Sequence, residues 1–227
     1  MPPFQATADE IKRTTRAVVA VLKKLNLECC LVGSVACSAY GMSRTPNDID
    51  MVVLTKIWTQ EELKRQVVAN DPNFYTIASK DPFATYRVLF YRLNEYTSRY
   101  LRRSCKVDLL LPGVMNIPNV PTSYIRYIDD RHRLKPLMPF LPLLMLKLQA
   151  WMDHGESTKL HMRAKQPVDV RDIMELLNLA VTKYTDVKLA KEESWLPDTF
   201  VSAGRKRVRA FTRMYPTSAR HWKAVGF

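Results

Sequence analysis

No apolar run in this chain is long enough to cross a bilayer; the longest, residues 137–148, is interrupted by Pro139 and Pro142. The N-terminus lacks the basic-then-apolar order of a secretory signal, so a cytoplasmic protein with no membrane partner is expected. Cys29, Cys30, Cys37 and Cys105 do not have the paired spacing of a zinc site. Three of them lie in apolar surroundings and read as reduced core residues. His132, His154, His161 and His221 are scattered without a ligand motif. Internal repeats and low-complexity segments are also missing, which excludes solenoids and disordered arrays.

Acidic residues are scarce at the C-terminal end. None follows Asp198, while Arg205, Lys206, Arg207, Arg209, Arg213, Arg220 and Lys223 do. The formal net charge is +13 over 227 residues, a surface that attracts polyanions, with nucleic acid the main candidate. Arg207, Phe211, Tyr215 and Trp222 mix cations with aromatic rings. That mixture suits contact with single-stranded nucleic acid; the alternative is a packed C-terminal helix with an exposed basic face.

Residues 31–54 organise the rest. An apolar run from Cys29 to Val32 ends at Gly33-Ser34, a small-residue helical stretch reaches Tyr40, and Gly41 breaks it. A polar turn with Arg44, Thr45 and Pro46 leads into Asp48-Ile49-Asp50 and a second apolar run. Gly33 lets the backbone approach a ligand closely. Ser34 can present its hydroxyl and the free N–H groups of a helix start to phosphate. Asp48 and Asp50, two apart on a strand, point to one face while Ile49 points to the core. Two adjacent carboxylates repel unless a cation sits between them, and a hard divalent ion such as Mg²⁺ selects such oxygens. Asp108 is the only acid in the apolar strand Lys106-Val-Asp-Leu-Leu-Leu, an expensive position unless it binds something.

Gly-Ser, thirteen residues and then Asp-Ile-Asp, with a third Asp on a later strand, resembles the signature of the nucleotidyltransferase superfamily, the polymerase-beta-like fold. The Arg44-to-Asp50 segment looks most like minimal nucleotidyltransferases and the nucleotidyltransferase-type toxins of abortive-infection systems. The resemblance implies an α/β (α+β) core with a mixed β-sheet flanked by helices, followed by a C-terminal helical region. It implies catalysis and metal binding by Asp48, Asp50 and Asp108, with two Mg²⁺ (or Mn²⁺) ions. The nucleotide, ATP or another nucleoside triphosphate, would meet Gly33, Ser34 and Arg44.

The remaining elements follow from periodicity. Residues 8–26 form an amphipathic helix with Ile11, Val18, Val19, Leu22 and Leu25 on one side. Thr59 with Glu62 marks the start of a second helix, which ends at Asp71-Pro72. Residues 74–77 and 85–93 read as strands. Six prolines between Pro112 and Pro142 suggest a boundary, giving a catalytic core over 1–112 and a helical region with a basic tail over 113–227. A short helix is expected near 123–130, and two more over 196–203 and 205–214. Residues 143–152 form a helix apolar nearly all round, on which Lys147 either snorkels to the surface or serves a buried anion. In the toxin-like families a lysine on the helix after the third Asp meets nucleotide phosphate, and Lys147 matches it. Asp169 and Asp172 resemble a later motif in which an acid supports that lysine or the base-binding loop; equally, they would cap the helix over 170–181.

The implied activity is transfer of a nucleoside monophosphate from a nucleoside triphosphate to an acceptor hydroxyl, with loss of pyrophosphate. An RNA or tRNA end, a protein hydroxyl and a small polyol or aminoglycoside-like molecule are the acceptor classes. The alternative is a catalytically silent module of the same fold that binds RNA or a protein.

Overall fold

The computed structural model describes residues 6–81, 83–96, 102–129 and 134–227. In chain order the elements are α1 (Ala8–Lys24), β1 (Cys29–Val32), α2 (Gly33–Tyr40), β2 (Ile49–Val53), α3 (Gln60–Asn70), β3 (Phe74–Ala78), β4 (Arg87–Tyr96) and β5 (Arg102–Leu110). After them come β6 (Arg126–Asp129), β7 (Leu134–Leu137), α4 (Phe140–Glu156), α5 (Leu160–Arg163), α6 (Gln166–Thr182), α7 (Leu189–Glu192), α8 (Asp198–Met214) and α9 (Ala219–Ala224).

Thr7 and Thr59 each close a capping box, with Glu10 and Glu62 at the third helical position, so both helix starts are fixed by side chains as well as by burial. α1 buries Ile11, Val18, Val21 and Leu22. It is tied to β5 by Arg103, whose Nε and Nη2 donate to the two oxygens of Glu10 at 2.5 and 2.7 Å.

Seven strands lie in one mixed sheet in the order β3-β4-β5-β2-β1-β7-β6. β2 is antiparallel to β1 and parallel to β5, and β7 runs parallel to β1. Past Pro112, where the sequence suggests a division, β6 and β7 pair back onto this sheet. The helix expected near 123–130 is instead a single 3-10 turn, Thr122–Tyr124, followed by β6. Strand pairing with β7 decides the outcome there, and no local periodicity reveals it. Asp130 and His132 lie outside the described residues.

The expected pair of helices near the C-terminus is one continuous helix, α8. Gly204 at its centre does not break it. A Cβ there would strike the methyl of Met145 on α4, so the glycine permits close approach of two helices. The four cysteines are free and buried.

Candidate active site

The sheet register brings the acids together. Asp50 on β2 pairs across to Asp108 on the parallel β5, and Asp48 precedes β2 by one residue on the same face as Asp50. One carboxylate oxygen from each of Asp48, Asp50 and Asp108 lies within 4.8 Å of the other two. Burial, then repulsion from Asp48 and Asp108, pushes the Asp50 carboxyl up to about 7. Burial also raises Asp48, against the pull of Lys106. Lys106, two residues before Asp108 on β5, donates to Asp108 Oδ2. Burial would lower the pKa of this lysine, but its acidic neighbours more than offset that and hold it high. Its position two residues from the third acid was the available signal in the sequence.

Gly33 is the floor of the cup. Its φ is +63°, and a Cβ at this position would fall on the Asp50 carboxylate. The bend therefore needs glycine for both backbone and space. Ser34 follows at the start of α2, where backbone N–H groups have no intrahelical partner.

Beside the acids sits a cationic cluster. Ser34 Oγ accepts from Arg44 Nη2 at 2.8 Å and from Lys147 Nζ at 3.1 Å. Asp172 on α6 accepts from Arg44 Nε at 3.1 Å, Arg44 Nη2 at 2.6 Å and Lys147 Nζ at 3.0 Å. Burial works against the Asp172 charge, but bonds from Arg44 and Lys147 prevail and hold its carboxyl below the ordinary range. Burial likewise opposes the charge on Lys147, and its surroundings, Asp172 among them, still raise its pKa. The turn carrying Arg44 is clamped further along α6, where Glu175 accepts from the Ser43 N–H at 2.7 Å and the Ser43 hydroxyl at 3.0 Å.

Gly33, Ser34, Arg44, Asp48, Asp50, Asp108 and Lys147 thus converge on the ends of β1, β2 and β5 and the facing helices α4 and α6. Asp169 is directed elsewhere: its Oδ2 meets His154 Nδ1 at 2.5 Å. Asp172, one turn further on, is the acid beside Lys147. Helical spacing marks both, and only tertiary placement of α6 chooses between them.

Two of the tail aromatics, Phe211 and Trp222, are not available for base stacking, while Tyr215 is half-buried. Phe211 and Trp222 are buried, and Phe211 packs edge-on against Trp151 with 5.0 Å between centroids. Large apolar area carries them into the core, and Lys206, Arg209, Arg213, Arg220 and Lys223 remain as an exposed basic face.

No helix among the described residues is long and apolar enough to cross a membrane. No protein-family profile matches the chain, and no curated protein matches it. Among solved structures, it is similar to an antigenic nucleotidyltransferase-like protein from Paracoccidioides brasiliensis. Identity is 16%, the overlap covers 97% of this chain and 95% of that one, and the TM-score is 0.72. Looser similarity extends to ANT(2″)-Ia in complex with adenylyl-2″-tobramycin, at 13% identity over 86% of this chain and 97% of that one, TM-score 0.44. Terminal uridylyl transferase 4 from Trypanosoma brucei with bound GTP is 14% identical over 94% of this chain and 67% of that one, TM-score 0.36. Superpositions as loose as these two add nothing to the fold assignment. The match over nearly the whole length of both chains does: the chain has the nucleotidyltransferase fold.

Proposed function

We propose that this protein is a metal-dependent nucleotidyltransferase that moves a nucleoside monophosphate from a nucleoside triphosphate to an acceptor hydroxyl. The observation that carries the reading is the convergence of three carboxylates beside the Gly33-Ser34 bend.

The donor set fits hard divalent cations: three carboxylates, whose burial and mutual repulsion raise the pKa of Asp50, gain most from a small ion between them. When bound, Mg²⁺ would neutralise charge growing on the pyrophosphate and lower the pKa of the acceptor hydroxyl. Asp48 and Asp50 would hold one ion, and all three acids a second. Ser34 and the start of α2 receive triphosphate oxygens. Lys147 and Arg44, already aimed at Ser34 Oγ, grip the same phosphates, and Asp172 keeps both cations oriented until nucleotide arrives. Asp108 takes the proton of the attacking hydroxyl. A new oxygen–phosphorus bond forms at the α-phosphate as the α–β anhydride bond breaks, and pyrophosphate leaves with the bonding electrons.

On this reading the core over 1–112 supplies the acids, and the region over 113–227 supplies Lys147 and Asp172. The exposed basic face favours the end of an RNA as acceptor, with tRNA a natural candidate. Four free buried cysteines suit a reducing, cytoplasmic location. Incubation with each of four α-labelled triphosphates and total RNA tests the assignment. Label should enter an RNA fraction with the native protein and should not enter with the Asp48→Ala/Asp50→Ala double variant. Equal labelling by both would falsify it.

A further inference from the structure

β2 and β5, the strands that carry Asp50 and Asp108, continue in parallel toward a large groove at their far ends. Leu54 follows β2 and Leu111 follows β5, and both line a cavity of about 1020 Å³ whose opposite wall is α8. At about 3.3 Å per residue, the groove begins about 10–13 Å along the strands from the acids. No acidic side chain among the described residues lines it. Lys56 and Arg207 do, and neither has an ion-pair partner among the described residues. Trp58 and Phe200 supply aromatic surface between them, Phe200 largely buried and Trp58 half-exposed.

The groove wall is held in an unusual shape. Gly113, Met115 and Asn116 all have left-handed backbones, with φ of +87°, +52° and +59°. Gly113 adopts this freely, but for Met115 and Asn116 such strain lasts only where surroundings over-determine it. Here buried Gln149 of α4 does so: its Nε2 donates to the Met115 carbonyl at 3.1 Å and its Oε1 accepts from Asn116 Nδ2 at 3.3 Å. Pro112, Pro118 and Pro197 stiffen the same rim.

We infer that this groove binds single-stranded nucleic acid, stacking a base on Trp58 and holding flanking phosphates with Lys56 and Arg207. Cations without ion-pair partners, a half-exposed indole and a lining free of described carboxylates match that ligand and reject a polycationic one. The exposed face of α8, with Lys206 and Arg209, continues the positive surface away from the rim. As an acceptor-strand site the groove rests on the transferase reading; as a binding site it stands without it.

The test uses the full chain with fluorescein-labelled single-stranded 12-mers, as RNA and as DNA, without nucleotide. Anisotropy is read at several salt concentrations, with Mg²⁺-dependent nucleotide binding measured in parallel. Lys56→Glu/Arg207→Glu should weaken oligonucleotide binding tenfold or more and lower the log–log salt slope by about 1.4, roughly 0.7 for each phosphate no longer neutralised. Trp58→Leu should weaken it about tenfold, and Trp58 emission should be quenched when the native protein binds. Both variants should keep normal nucleotide binding. Tighter binding of RNA than DNA would mean that the groove also reads the 2′-hydroxyl; equal binding would mean that it reads base and phosphate alone. Absence of oligonucleotide binding in low salt, indifference to these variants, or displacement by poly-glutamate as effective as by oligonucleotide would each overturn the assignment. Oligonucleotide binding here, with no label entering RNA in the α-labelled triphosphate assay, would remove RNA as the acceptor and leave the groove standing.

Discussion

Asp50 and Asp108 are register partners on neighbouring parallel strands, so two carboxylates far apart in sequence stand side by side. That pairing sets the charge balance of the site: each acid repels the other's charge, and on the proposed function a cation between them would relieve it.

The first expectation concerns pH. In the unfolded chain the carboxyl of Asp50 titrates near 3.9, but in the fold it is pushed up to about 7. The folded state therefore holds a proton that the unfolded state has released across that window. Stability of the metal-free protein should fall as pH rises from about 4 to 7 and then level off. Thermal melts should show this decline, Asp50→Asn should flatten it, and Mg²⁺ at pH 8 should stabilise native protein more than the variant.

Gly33→Ala should damage the site beyond its backbone cost. The positive φ alone costs about 1–2 kcal/mol for a residue with a Cβ, and the added methyl collides with the Asp50 carboxylate. Calorimetric titration should show Mg²⁺ affinity largely abolished. Gly41→Ala provides the contrast. It carries the same kind of backbone cost at φ +114°, but its Cβ would meet only ordinary contacts with Lys183 and Leu179, so metal affinity should hold.

Asp172→Asn should destabilise by about 3–5 kcal/mol, because it strips the shared anion from a buried lysine and a half-buried arginine. Denaturant melts measure the loss, and Lys147→Met in the same chain should recover part of it. Nucleotide binding should weaken in Asp172→Asn and stay near normal in Asp169→Asn, whose carboxylate serves His154. The reverse ranking would return the supporting role to Asp169.

Phe211→Ala should cost about 3–5 kcal/mol, as expected for a buried aromatic ring. Measured below its lowered melting point, oligonucleotide affinity and its salt dependence should be unchanged. A selective loss of binding would mean that the tail aromatics are exposed to ligand after all.

The strand, glycine bend, helix and Asp-Ile-Asp strand were legible in the sequence because every signal lies within about twenty-five residues. The capping boxes at Thr7 and Thr59 depend only on residues three apart, and the Thr59 box was readable in advance. Lys147 stood out because one charge sat on an otherwise apolar helix. The rest depends on non-local pairing. Whether 126–129 is helix or strand is settled by β7, and the choice between Asp172 and Asp169 by how α6 lies against the Arg44 turn. Gly204 resembles a helix breaker until Met145 of α4 is seen against it. Phe211 and Trp222 resemble a stacking surface until the whole aromatic cluster is assembled.

The arrangement of Arg44 and Lys147 around Asp172 has a further effect on selectivity. Both cations are already engaged at rest, so chloride or a lone monophosphate offers little that the resident carboxylate does not. A visitor must bring several negative oxygens at once to draw the two side chains over. On the proposed function, the pocket would therefore sort anions by valence before any base is inspected.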